Sequence, residues 1–426
     1  MDLDSLTLAY AYGCRNAGDF AINEGSLALL SRACPGADVT AVSRFAPESP
    51  EYRRMAEELD TLGEGALVGG PITYDPERQS RPAQLAALAR DGFQYGVDLA
   101  GVAGGRSVHS ALYDRITDGD ALLFNGGNAI HHSPSHGSLP YLLAMLYPLQ
   151  VARRNGVPYG LLPQTTFALE GVARRLVVPL LSDAEFVMTR DAVTFDYLSE
   201  FGLPTQLVNG VDTAFLNGTP EASEPSDGDS SRIAAVPRFS TLGDTGELDA
   251  AGARMEETFL TYLAGLVDSG HEVTLTIQTE IDEAWAARHR DRLDDIGVGY
   301  VESYDPDALR AHYAGMDLLV TMRLHAAIFA LSMGTPTIGV YRSEWGPKTP
   351  GTFRTLDIAE YAIPWDEATV ETLVSVTDDA LDEGAALSQH VADNVTMRSE
   401  ALVSDLRTAL ATADGFASAG TPHTRP

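Results

Sequence analysis

Two blocks of apolar strands alternating with helical stretches, on either side of one segment with no hydrophobic period, leave this chain few architectures. In the first block, strand-like runs at 5–12, 38–43, 121–124, 158–162, 185–188 and 206–208 alternate with helical patterns at about 19–32, 139–154 and 192–201. In the second, runs at 232–236, 273–277, 299–302, 317–322 and 337–341 alternate with helical patterns at about 249–268, 282–293 and 307–313. Strands that are largely apolar along their length are buried on both faces. Strands separated by helices run parallel, since a helical crossover returns the chain to the edge it left. The pattern predicts an α/β protein with two Rossmann-like domains facing a cleft.

The dividing segment, 218–231, reads GTPEASEPSDGDSS, and its Pro, Gly, Ser and acidic residues offer no face to pack. It separates an N-terminal domain at 1–217, expected to form part of the cleft, from a C-terminal domain at 232–414. The mainly helical stretch 367–411 packs on the second domain or returns to the first. The tail 415–426 reads as disordered. A chain of 426 residues exceeds one comfortable core, which fits two domains.

Composition narrows the function. Sixty acidic residues against 29 basic ones give a formal net charge of −31, and Lys348 is the sole lysine. Such a surface excludes nucleic acid as a partner, because phosphates require a basic footprint. It suits molar salt, where the Debye length is only about 3 Å and like charges are screened. Cys14 and Cys34 match no zinc or disulfide pattern. No run approaches the roughly 18 apolar residues of a membrane span, and Met1-Asp2-Leu3-Asp4 lacks the basic and apolar regions of a signal peptide, so a cytoplasmic protein is expected.

Several strand ends carry chemistry. After the strand 317–322 come Arg323 and His325, then a mostly apolar helix at 326–333 closed by Gly334 and Thr335-Pro336. The C-terminal edge of a parallel sheet is where α/β proteins collect ligands, and a helix N-terminus there favours an anion. Arginine adds a planar fork for carboxylate or phosphate, and histidine a proton near neutral pH. A plain helix start with a core-facing histidine is the structural alternative.

The loop Gly13-Cys14-Arg15-Asn16-Ala17-Gly18-Asp19 follows the first strand, with Asp19 placed to cap the next helix. It is not GxGxxG, and Asp38 begins the second strand rather than ending it, which argues against a nicotinamide cofactor. Gly126, Gly127 and Asn128 end another strand, where paired glycines allow close approach of a ligand or of packed backbone. His131, His132 and His136 follow without the spacing of a metal site, so one of them is expected to line the cleft and no metal is assigned. Arg190 ends a third strand, pointing toward the cleft or pairing locally with Asp191.

Taken in order, Asn16-Ala17-Gly18-Asp19, Phe124-Asn125-Gly126-Gly127-Asn128, Gly160-Leu161-Leu162-Pro163-Gln164, Thr189-Arg190-Asp191, Val211-Asp212-Thr213-Ala214-Phe215 and Arg323-Leu324-His325-Ala326 resemble the polysaccharide pyruvyl transferase family, here in a haloarchaeal type. The resemblance implies the two-domain GT-B fold and transfer of a pyruvyl unit from phosphoenolpyruvate to two hydroxyls of a sugar or lipid-linked glycan, with release of phosphate and no further cofactor. It leaves room for peripheral contact with membrane-bound glycan machinery. On that basis His325 becomes the general acid or base, and Arg323, Arg190 and Lys348 become anion clamps. Asn16, Asp19, Gly126, Gly127, Asn128 and His131 are assigned to substrate binding. Two rivals stay open. A GT-B glycosyltransferase using a nucleotide sugar would need an acid at the ribose, for which Glu344 is the candidate, and a glycan-assembly subunit would need no chemistry at all.

Overall fold

The computed structural model describes residues 4–13, 16–61, 67–70, 80–100, 110–132, 139–222, 230–239, 249–413 and 415–416, without the side chains of 58–61 and 99–100. Thirteen strands lie in these residues: β1 (Ser5–Ala11), β2 (Asp38–Ser43), β3 (Leu67–Val68), β4 (Ala121–Phe124), β5 (Tyr159–Gln164), β6 (Phe186–Thr189), β7 (Gln206–Asn209), β8 (Arg232–Val236), β9 (Glu272–Ile277), β10 (Gly299–Glu302), β11 (Leu318–Thr321), β12 (Thr337–Tyr341) and β13 (Ala362–Pro364). They form two sheets, ordered β3-β2-β1-β4-β5-β6-β7 and β10-β9-β8-β11-β12-β13. Every pairing in both is parallel. Each is a Rossmann-like sheet whose strand order reverses once, between β1 and β4 and between β8 and β11.

Burial on both faces is what the continuous apolar runs require. β4, β6 and β11 are buried at every residue, and Phe124 and Leu161 are fully enclosed in the core of the first unit. In the second unit the helix Leu324–Leu331 is buried on nearly all sides, so it is held by packing rather than by an amphipathic stripe. Truncating a core side chain such as Phe329 would cost about 3–5 kcal/mol.

The division into compact units departs from a single cut at the linker. The first unit holds residues 1–14, 22–213 and 401–426, and the second holds 15–21 and 214–400. The segment 15–21 therefore belongs with the second unit although it lies near the start of the chain. Likewise the helix Val370–Thr412 passes from one unit to the other, its path bent at Gly384. The near part of the expected linker is packed, since Gly334 at φ +83° stands against the Glu221 backbone, where a Cβ would come within 2.1 Å of the carbonyl oxygen. Residues 223–229 lie outside those described.

Other differences have local causes. Two helices, Pro50–Thr61 and Arg81–Ala100, form in a stretch not assigned from sequence, although the first carries Tyr52, Met55, Ala56 and Leu59 at helical spacing. The single helix expected at 282–293 is two, Glu280–Arg288 and Arg290–Ile296, broken at His289, whose Nε2 lies 3.0 Å from Glu256 Oε1. The tail is not disordered at its start: Gly415 donates to Glu185 at 3.2 Å, and Phe416 is fully buried against Phe186. Its last ten residues, 417–426, lie outside those described.

Candidate functional site

β11 and the helix after it form as expected, and the helix begins at Leu324 with Arg323 as its N-cap. Thr321 makes the turn by taking the Arg323 N–H on its Oγ at 2.9 Å and donating to the Arg323 carbonyl at 3.1 Å. No side chain of the N-cap residue caps the helix, so the positive end of its dipole is not neutralised by a capping carboxylate or hydroxyl. His325 lies in that first turn, half-buried.

Arg323 is held by Asp282. Its Nε and Nη2 reach the two carboxylate oxygens, the Nη2 to Oδ1 distance being 2.6 Å. Asp282 is almost fully buried, and its Oδ2 also accepts from Thr279 Oγ at 2.8 Å. This fixes the guanidinium plane and cancels its charge, while its Nη1 edge is not engaged by Asp282.

A second guanidinium stands nearby. Arg238 follows β8 by two residues, as Arg323 follows β11, and these strands are neighbours at the point where the sheet order reverses. The Arg238 guanidinium lies 4.2 Å from the centroid of the Trp345 ring, and its buried Nε makes no hydrogen bond among the described residues. Burial, then repulsion from Arg323, lowers its proton affinity to about 9 while Asp282 opposes the shift; it remains charged at neutral pH. Sequence reasoning missed both Arg238 and Asp282.

The segment carrying Asn16 completes this unit's site. The Ala17 N–H donates to the Gln278 carbonyl at 3.4 Å, Asn16 bridges to Thr279, and a Cβ on Gly18 would fall 2.2 Å from the His325 ring. The sequence expectation that Asp19 caps the helix is not met. Asn16 Oδ1 takes the Gly18 N–H at 3.1 Å, the helix starts at Ala17, and Asp19 is in its first turn. Lys348 also belongs to this unit, at the start of the helix Lys348–Thr355 that follows β12 and Trp345.

The remaining candidates lie in the first unit. Arg190 does not point into open space: it is 1 % exposed, with Nη1 on Asp212 at 2.5 Å and Nε on Thr165 at 2.8 Å. Burial raises the Asp191 carboxyl, against hydrogen bonds from Thr165 and Thr194 that lower it. Gly126 and Gly127 approach protein rather than vacant space, since Cβ atoms there would meet the Pro163 carbonyl at 3.0 Å and the Tyr12 hydroxyl at 3.1 Å. Asn128 is half-buried, and its carbonyl oxygen lies 2.9 Å from Nδ1 of His131, whose ring stacks on Phe167 at 5.0 Å. Cys14 and His136 lie outside the described residues. Among those described, no three His, Cys, Asp or Glu side chains converge as a metal site, and no helix is long and apolar enough to cross a membrane.

The polysaccharide pyruvyl transferase family profile matches residues 16–344, and this chain belongs to that family. The match starts at Asn16, the residue that joins the second unit's site. The amylovoran biosynthesis protein AmsJ of Erwinia amylovora is 23 % identical over 404 residues, covering 89 % of this chain and 92 % of its own length. Among solved structures, a Listeria monocytogenes protein provisionally assigned as a UDP-N-acetylglucosamine 2-epimerase has a TM-score of 0.59 at 15 % identity, with 98 % of each chain covered. HepE of Anabaena, in complex with UDP and glucose, has a TM-score of 0.55 at 11 % identity, covering 96 % of this chain and all of the other. These structures show the fold, the paired Rossmann-like arrangement of GT-B glycosyltransferases and epimerases.

Proposed function

We propose that this chain transfers the pyruvyl unit of phosphoenolpyruvate to two hydroxyls of one sugar, forming a cyclic ketal and releasing phosphate. The observation that carries this is His325 in the uncapped first turn of a buried helix, beside the braced Arg323, in a chain of this family. Phosphoenolpyruvate brings a carboxylate and a phosphate, which guanidinium groups and free helix amides bind. His325 donates a proton to the enol carbon C3, which becomes a methyl group and leaves C2 electron-poor. The first sugar hydroxyl adds to C2 and loses its proton. The bond from C2 to the phosphate oxygen then breaks, its electron pair leaving with phosphate, and the second hydroxyl adds to C2. Of the two protons lost from the hydroxyls, one balances that gained at C3 and the other leaves with phosphate.

The acceptor is a sugar of a cell-surface polysaccharide, free or lipid-linked, in keeping with a relative named for amylovoran biosynthesis. The reaction belongs in the cytoplasm, in peripheral contact with membrane-bound glycan machinery where the acceptor is lipid-linked. The nucleotide-sugar alternative has its own support in the structural neighbour bound to UDP. Its ribose-contact candidate, however, is committed elsewhere: Glu344 is exposed and accepts from Arg342 Nε at 3.2 Å. Incubation with phosphoenolpyruvate and candidate sugars in molar KCl decides between them. Sugar-dependent phosphate release is expected; UDP release from a UDP-sugar, with no phosphate from phosphoenolpyruvate, overturns the proposal.

A further inference from the structure

We propose that Arg238 is a donor-contacting cation of this site, meeting the phosphate or carboxylate of the donor alongside Arg323 while Trp345 holds its guanidinium in place. The identity of the donor rests on the pyruvyl transfer proposed above; the role of Arg238 as an anion contact does not.

Charge arithmetic is the first ground. Arg323 and Asp282 cancel, and the Asp282 oxygens already serve Arg323 and Thr279, so the group of three carries one net positive charge, located on Arg238. A half-buried cation without its own carboxylate is partly desolvated, and a bound anion relieves that cost. Geometry is the second. The Trp345 face 4.2 Å away sets the guanidinium position through a cation–π contact, and Trp345 in turn packs on Trp365 with ring centroids 5.1 Å apart. The arginine is thus braced by aromatic rings and keeps a buried Nε–H without a hydrogen-bond partner among the described residues. Position is the third, because the strand ends at a reversal of sheet order are where α/β proteins bind phosphorylated ligands. A planar fork suits phosphate or carboxylate, and lysine cannot replace it in kind.

The test uses the full chain, with Arg238→Gln and Arg238→Lys, at a KCl concentration where all three are folded. Calorimetry measures binding of phosphoenolpyruvate and of UDP, and thermal unfolding is followed without ligand. Loss of one charge-assisted contact should weaken phosphoenolpyruvate by at least about tenfold in Arg238→Gln and less in Arg238→Lys. The unliganded Gln variant should unfold at the wild-type temperature or above it, since a partly desolvated cation without its own carboxylate is gone. Unchanged affinity in the Gln variant overturns the inference, as does a fall in its unliganded Tm, which makes Arg238 structural. If the wild type binds UDP and not phosphoenolpyruvate, and the Gln variant loses UDP, Arg238 stands as a phosphate contact and the pyruvyl transfer proposal falls. Binding of neither ligand by the wild type overturns both.

Discussion

The His325 ring packs directly against Gly18: a Cβ at residue 18 would lie 2.2 Å from the imidazole, so the missing side chain is what seats the histidine. Residues far apart in the sequence are thereby joined in one unit. Glycine within a helix ordinarily costs up to about 1 kcal/mol relative to alanine, so its presence in the first turn of Ala17–Ala33 has a steric cause.

Gly18→Ala should therefore displace the ring. Transfer should fall by about 100-fold or more, as a misplaced catalytic group does, with the far-UV circular dichroism unchanged. An alanine variant with wild-type turnover shows that the ring position is not critical.

His325→Asn removes the proton donor while keeping a polar side chain of similar reach. A loss of roughly 10²–10⁴-fold in kcat is expected with thermal unfolding unaltered. Full turnover in the folded variant takes His325 out of the mechanism.

For Arg190 the expected effect is on stability. Both partners of the Arg190–Asp212 pair are 1 % exposed, so Arg190→Ala removes the guanidinium that balances a buried carboxylate and should cost about 3–5 kcal/mol in denaturant unfolding. The phosphoenolpyruvate KM of the surviving folded fraction should match wild type. A raised KM without destabilisation would return Arg190 to the donor site.

Salt should matter throughout. With net charge −31, acidic side chains repel one another in dilute buffer, and thermal unfolding should move to higher temperature as KCl rises toward molar concentration. An unfolding temperature independent of KCl would call for another cause of the acidity, such as a basic partner.

What the sequence made legible follows from the range of the interactions involved. The strand-to-helix junction at Arg323 and His325 is local, and the structure places it within two or three residues of where the hydrophobic pattern does. Asp282 was read only as a helix start, because its role depends on a guanidinium 41 positions further along the chain. Arg238 gave no signal: it follows Pro237 at the end of a strand, with no helical pattern directly behind it to mark a dipole. Arg190 and the Gly126-Gly127 pair look the same in sequence whether they face a ligand or the core. Only the buried Asp212 and the proximity of Tyr12 and Pro163 tell which neighbours they have in this fold. The helix Arg81–Ala100 carries exposed Leu85 and Phe93 without a clear apolar stripe, so periodicity could not find it.

The most direct test of pyruvyl transfer follows the methyl carbon. The full chain is incubated with an acceptor sugar and phosphoenolpyruvate labelled with 13C at C3, in D2O, and the sugar product is read by NMR. Protonation of C3 by a solvent-exchanged His325 predicts a labelled ketal methyl carrying at least one deuterium, one phosphate released per methyl formed, and both products slowed about 100-fold or more in His325→Asn. Labelled carbon that stays in unreacted phosphoenolpyruvate, or that reaches the sugar as an intact methylene, would contradict the account.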